Sequence, residues 1–186
     1  MHVCIFHPRN RDGEALTQQL QRIGCQAHCF WPPLDEPVEG TDLVFIGLYP
    51  DTLSFDYAWC GAEDAPPVVA VVNYENPTII DAVLRVGAKA VVAAPVRSFG
   101  ILSAVVLAQQ ISGDLKKLNK RVVRLEEKVD GVRKIAEAQE ILVRQRGITK
   151  LEAYRAIRAQ AMAKRVAVEE IASAIIAADE MLSLRG

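Results

Sequence analysis

Between Ile111 and Val143 apolar residues return at alternating spacings of four and three: Ile111, Leu115, Leu118, Val122, Leu125, Val129, Val132, Ala136, Gln139 and Val143. Only Gln139 is polar in this seam, and Lys116, Lys117, Lys120, Arg121, Arg124, Glu126, Glu127 and Lys128 fill sites between. A heptad pattern held this long specifies a coiled coil. At about 1.5 Å per residue the helix measures roughly 50 Å, too long and too narrowly striped to pack wholly against a modest neighbouring domain. The simplest second helix is its own copy. The pattern therefore predicts a homodimer through Leu115, Leu118, Val122, Leu125, Val129 and Val132, against the alternative of an amphipathic helix lying on a core. Helix orientation stays open: in a parallel pair Arg121 meets Glu126 favourably but Lys128 meets Arg133 unfavourably.

The 186 residues, 51% hydrophobic and 24% charged, suffice for one substantial domain and one smaller unit beside that helix. No run approaches the roughly eighteen consecutive apolar residues that span a bilayer, and the opening MHVCIFHPRN lacks the parts of a secretory signal. A cytoplasmic protein with no membrane contact is expected. Cys4, Cys25, Cys29 and Cys60 show no paired ligand spacing. Cys25 and Cys29, four steps along an expected strand, sit about 13 Å apart, too far for one metal ion. Buried free thiols follow, with no metal and no cofactor.

The net charge of −1 conceals a division. Residues 1–110 carry 6 basic and 12 acidic side chains, a balance of −6, whereas residues 144–165 carry Arg144, Arg146, Lys150, Arg155, Arg158, Lys164 and Arg165 against Glu152 alone, a balance of +6. Such asymmetry implies separate partners for the two ends, with a polyanion suited to the second. A solvated helix face is the other reading of the block.

In chain order, Val3 to Phe6 reads as a strand, and Leu16, Leu20 and Ile23 mark one face of a helix stopped by Gly24. Cys25 to Phe30 resumes as a strand. The unbroken apolar runs LVFIGL (43–48) and VVAVV (68–72) are expected of central strands covered on both faces. A helix from Pro77 through Ile80, Val83 and Leu84, a strand from Ala90 to Ala93, and a helix starting near Ser98 with Ile101, Leu102, Val105, Val106 and Leu107 complete the set. The segment from Pro50 to Pro67 gives no helical period, which predicts a short or irregular third crossover. Strands alternating with helices predict a five-stranded doubly wound parallel α/β domain over residues 1–108. A coiled-coil linker is expected over 109–137. Thr149 with Glu152 has the spacing of a capping box, so two short helices follow, and their apolar faces need the end of the long helix to make a three-helix bundle over 135–186.

The carboxyl ends of the strands, where such a domain places its site, hold His7-Pro8-Arg9, Gly47-Leu48-Tyr49, Asn73-Tyr74-Glu75 and Ala94-Pro95. There is no glycine-rich phosphate loop and no nucleophile beside a base, so no enzyme is expected. With Asp42-Leu43-Val44-Phe45-Ile46 in the third strand and Gly87-Ala88-Lys89-Ala90 before Ala94-Pro95 in the fifth, the domain resembles a response-regulator receiver. The resemblance implies a magnesium and aspartyl-phosphate site, and at the matching positions this chain has His7 and Pro8, Gly47, Asn73 or a neighbour, and Ala94. Every part of that site is replaced. Without its carboxylates there is neither an acceptor nor the charge to hold a hard cation.

Farther on, Ala138-Gln139-Glu140-Ile141-Leu142-Val143, Arg146-Gly147, Glu152-Ala153-Tyr154-Arg155-Ala156-Ile157-Arg158, Ala161-Met162-Ala163-Lys164-Arg165, Ile171-Ala172 and Ile175-Ile176 resemble the ANTAR module, the RNA-binding output domain of bacterial antiterminators. The chain departs from that pattern at Gln139, where lysine is common, and at Glu140, where glycine is frequent. The three parts together resemble the amidase-operon type of transcription antiterminator. That family implies leader-mRNA hairpins as the RNA target and a ligand-sensing partner protein that sequesters the regulator until an inducer binds. The RNA-contact residues so expected are Gln139, Arg144, Lys150, Tyr154, Arg155, Arg158, Lys164 and Arg165. Tyr154 has two readings, a member of the bundle core with Leu151, Ile157, Arg158 and Ala161, or a platform for an unpaired base. Two functions of other classes compete: a coiled-coil scaffold, or a small-molecule sensor using Arg9, Asn73 and Tyr74.

Overall fold

The computed structural model describes residues 1–62 and 64–183; residues 184–186, within the expected 135–186 domain, lie outside the described residues. Two compact units divide the chain, Met1–Lys116 and Lys117–Gly186.

The first unit runs β1 (His2–Phe6), α1 (Arg11–Arg22), β2 (Gln26–Phe30), β3 (Leu43–Leu48), β4 (Val68–Val72), α2 (Pro77–Arg85) and β5 (Ala90–Ala93), followed by the start of α3 (Ile101–Arg146). All neighbouring strands are parallel, in the order β2-β1-β3-β4-β5. This is the doubly wound order in which the site lies at the carboxyl ends of the strands. Alternation along each strand divides the core into two layers. Val3, Ile5, Phe45 and Val69 pack with Leu16 and Leu20 of α1 and with Ile101, Ala104 and Ala108 of α3. Phe6, Val44, Ile46 and Ala70 pack on the other side with Ile79, Ala82 and Val83 of α2. Every residue of β3 and β4 is buried, which is why their sequences carry no alternation.

Side chains start both short helices. Asn10 accepts from the backbone N–H groups of Asp12 and Gly13, and Asn76 accepts from that of Ile79, with Pro77 in the first turn of α2. Among its described residues the third crossover contains only a 3-10 turn at Ala58–Gly61, in keeping with its aperiodic sequence. Three expectations about faces are corrected. Ile23 is the C-cap of α1 and is exposed, so Leu16 and Leu20 carry that contact. Ile79, Ala82 and Val83 form the buried face of α2, while Ile80 and Leu84 are exposed. Helix α3 begins at Ile101, after Gly100 at φ +93°, and its Leu102, Val106 and Leu107 face solvent.

Helix α3 is 46 residues long and continues through Gly113. Its seam is open to solvent at all six positions from Leu115 at 43% exposure to Val129 at 69% and Val132 at 68%. Beyond it the covered stripe is Gly131, Ala138 and Leu142 with half-buried Ile135, one residue out of step with Val132, Ala136, Gln139 and Val143. The last seam positions thus differ from expectation: Ala136 is exposed, Gln139 is half-buried and Val143 packs on the bundle core. In that second unit α4 (Lys150–Lys164) and α5 (Val168–Ser183) join the end of α3. Their shared core is Ala138, Leu142, Ala153, Ile157, Ala161, Ile171 and Ala172. A Cβ on Gly131 would stand 2.8 Å from Cγ of Glu169, an exposed side chain at the start of α5 that would have to move aside. Among the described residues no helix is long and apolar enough to cross a membrane.

Candidate nucleic-acid interface

Helix α4 is set by its first residues. Gly147, at φ +65°, ends α3 with its N–H on the carbonyl of Val143, a left-handed stop that glycine adopts without a steric penalty. The Thr149 hydroxyl then accepts from the N–H of Glu152, and the Glu152 carboxylate accepts from the N–H of Thr149 at 2.9 Å. The capping box expected from the sequence is present. The Thr149 N–H, and after it the Thr149 hydroxyl, which also donates to Glu152 Oε2 at 2.8 Å, hold the Glu152 carboxyl below its usual value.

From that start Ala153, Ile157 and Ala161, four residues apart, turn inward. Tyr154 stands outside the core, as do Leu151, Arg155, Arg158 and Met162. Helical spacing places these five on one solvent-facing side, with Leu151 59% and Met162 71% exposed. The face combines an aromatic ring, two guanidinium groups and two apolar side chains. Leu151 thus leaves the core stripe expected for it, and Met162 joins a face on which the sequence reading did not place it. The available signal is the spacing of Leu151, Arg155, Arg158 and Met162 by four, three and four, a helical stripe parallel to the alanine stripe that does the packing.

The remaining expected RNA residues fall into two groups. Arg165 caps α4 in the left-handed conformation at φ 58° and is exposed beside exposed Lys164. Lys150 is exposed at the other end and reaches Glu140 Oε1 at 3.3 Å. Gln139 and Arg144 have intramolecular work instead. The Gln139 amide donates to the carbonyl of Lys150 at 3.0 Å, fixing α4 to α3. Arg144 pairs with Asp179 at 2.6 Å, and Gln145 donates to the other oxygen of that carboxylate.

At the carboxyl ends of the strands the first unit is filled. His7 is fully buried. The carbonyl of Pro8 can only accept, so His7 Nδ1 carries the proton and donates to it at 3.0 Å, while Nε2 accepts from the Tyr49 hydroxyl. Burial pushes the pKa of His7 down, and burial followed by the nearby Asp12 carboxylate pushes that of Tyr49 up. Two glycines make this room: a Cβ on Gly47 would lie 2.8 Å from ring atoms of both His7 and Tyr49, and one on Gly13 would lie 2.6 Å from the oxygen of Pro8. Arg9, Asn73 and Tyr74 are all exposed. All four cysteines are free thiols, and among the described residues no group of three or more His, Cys, Asp or Glu side chains is placed to share a metal ion.

Comparison with known proteins adds the following. Residues 1–109 match the protein family described as AmiR, N-terminal, and residues 123–176 match the ANTAR domain. The aliphatic amidase regulator of Pseudomonas aeruginosa is 27% identical over 178 residues, covering 95% of this chain and 91% of that one. Among solved structures, a response regulator receiver protein from Burkholderia phymatum is 16% identical over 59% of this chain and 94% of its own, with a TM-score of 0.46. A CheY-like response regulator from Mesorhizobium loti is 16% identical over 56% of this chain and 95% of its own, with a TM-score of 0.44.

Proposed function

We propose that this chain, which belongs to the AmiR N-terminal family and carries an ANTAR domain in its second half, is an RNA-binding transcription antiterminator that captures hairpins in a leader transcript. The observation that carries this reading is the solvent face of α4, where Tyr154, 37% exposed, stands beside Arg155 and Arg158 and outside the bundle core. Guanidinium groups serve phosphates, and an exposed ring stacks on bases unpaired in a hairpin loop. Lys150, Lys164 and Arg165 extend the cationic surface at the two ends of the helix. Gln139 and Arg144 contribute by bracing the bundle, and an RNA phosphate would have to compete with Asp179 for Arg144.

The open seam through Leu115, Leu118, Val122, Leu125, Val129 and Val132 makes the working form a homodimer. Valine at 122 and 129 alternating with Leu118 and Leu125 favours two strands over three or four. Regulation in this reading is by sequestration through a ligand-sensing partner protein, as the family resemblance implies; the Pseudomonas relative is named as a regulator. Phosphorylation has no place in this scheme, because Gly47 offers no acceptor and the rings of His7 and Tyr49 occupy the space beside it. Action on a nascent transcript puts the protein in the cytoplasm, with no catalytic step and no cofactor.

Filter binding to a hairpin leader RNA tests the reading and separates it from a scaffold. Neutralising Lys150, Arg155, Lys164 and Arg165 together is expected to abolish binding while helicity persists, and each cation withdrawn from a phosphate lowers the salt slope by roughly 0.7 to 0.9. Unchanged affinity at near-physiological salt would remove this face from RNA recognition.

A further inference from the structure

The missing helix of the third crossover leaves a cavity of about 440 Å³ between the Thr52–Gly61 segment and the Ala82, Arg85 and Val86 side of α2. That volume lies in the range of small-molecule sites, on the order of 300 to 1,000 Å³. Leu48, Leu53, Phe55 and Val86 give it apolar walls. Tyr57 also lines it, and is 8% exposed with its ring stacked on Phe6. The Tyr57 hydroxyl is buried and meets no hydrogen-bond partner, a cost that folded proteins seldom leave uncompensated.

We infer that this cavity binds a small neutral molecule that presents a hydrogen-bond acceptor to Tyr57 on an apolar body. The other polar groups in the wall decide the ligand's charge. Thr52 is already committed, its hydroxyl donating to the carbonyl of Gly47 at 2.9 Å and accepting from the N–H of Tyr49 at 2.8 Å. Cys60 is a thiol whose ionisation burial pushes up to about 12. The charged groups of the lining, Asp56 and Arg85, are both exposed and of opposite sign. No buried charge therefore compensates an ion, and an uncompensated ion is excluded by desolvation. The Tyr57 hydroxyl is closed off from the cavity in this structure, so binding requires a small side-chain movement of the wall that exposes it; an acceptor such as a carbonyl or ether oxygen then satisfies it without that penalty. Thr52 further joins the cavity wall to Gly47 and Tyr49, so occupancy is sensed at the carboxyl end of β3.

This inference goes beyond the RNA reading and stands or falls without it, since its test contains no RNA. The full-length protein is titrated with benzamide, followed by amide chemical shifts, with benzoate as the charged arm and ethylbenzene as the arm without an acceptor. Benzamide is expected to shift residues 52–61 and 82–86 together with Tyr49. Benzoate and ethylbenzene are expected to bind at least tenfold more weakly. Tyr57→Phe keeps the ring on Phe6 and is expected to lower benzamide affinity at least tenfold, and Ser54→Trp, at an exposed lining position, blocks entry without touching the core. Scattered or absent shifts, equal binding of ethylbenzene, tighter binding of benzoate, or benzamide affinity unaltered by Tyr57→Phe would each overturn the inference. Should Tyr57→Phe fail to fold, undiminished benzamide binding by Ser54→Trp would overturn it.

Discussion

The sheet domain and the C-terminal bundle are held together by different kinds of side chain. Of the twelve largest fully buried side chains among the described residues, Phe6, Phe45, Ile5 and eight others lie in the first unit and Ile157 alone in the second. The bundle core consists mainly of Ala138, Ala153, Ala161 and Ala172 around Ile157, Leu142 and Ile171. Alanine lets helices approach closely but removes little apolar surface from water, and hydrophobic stabilisation scales with that surface. The bundle must therefore draw more of its stability from caps, from cross-helix polar contacts such as Arg144 with Asp179, and from whatever orders α3. The sheet domain has no such need.

The largest effect should come from the seam. Leu118→Lys with Leu125→Lys places charges where leucines would pack, and sedimentation is expected to show monomers. If the comparison is right, the bundle's unfolding temperature falls with it while that of the sheet domain does not; a dimeric double mutant would place the interface elsewhere. Next, Phe45→Ala is expected to cost the sheet domain about 3 to 5 kcal/mol and Ile157→Ala to cost the bundle about 2 to 5 kcal/mol. Calorimetry should show the first lowering one transition and the second erasing the other, because the bundle has less to lose.

Acidification sharpens the contrast. The pKa of His7 is depressed in the fold, so its contribution to stability is complete above the ordinary value of 6.5 and is lost as pH falls below it toward the folded value. The carboxyl of Glu152 is also depressed, so the contribution of the α4 cap is complete above 4.5 and is lost only at lower pH. Between these values the sheet domain should weaken first, seen as lower amide protection factors, each taken against the intrinsic exchange rate at its pH, in β1 and β3 at pH 5.5 than at 7.5, with those of α4 unchanged. The smallest effects test the bundle's ends. Thr149→Ala should cost about 1 kcal/mol, whereas Arg165→Gly should stabilise the bundle by up to about 1 kcal/mol by relieving a left-handed residue. In the same variant RNA affinity should fall, which separates charge from folding.

The sequence spelled out the elements more fully than the faces. Unbroken runs such as Val68–Val72 and the Thr149–Glu152 box have one physical solution, and the structure contains it. In α2, by contrast, Ile79-Ile80 and Val83-Leu84 are adjacent apolar pairs, so periodicity alone accepts either member. Only the position of the sheet chooses Ile79 and Val83. The same holds where α3 begins: Ile101, Ala104, Val105 and Ala108 are buried while Leu102 and Val106 are exposed, because only the position of the sheet selects between two faces that are both apolar. In the bundle, Leu151 and Tyr154 lie near one stripe with Ile157 and Ala161, which left a core role open for them, yet the inward stripe is Ala153, Ile157 and Ala161. The His7–Tyr49 pair lies 42 residues apart in sequence, and no local pattern announces it.

The slot formed by Gly13 and Gly47 around His7 also orders the mutational routes open to this domain. An aspartate at position 47 would be a single substitution in an ordinary receiver-like strand, but here its Cβ would meet the rings of His7 and Tyr49 at 2.8 Å. His7 and Tyr49 would have to shrink first, and each such step would empty a packed and hydrogen-bonded site before any new chemistry could repay the loss. The intermediates lie in a valley of stability, so a carboxylate at this position is not reached by a single step.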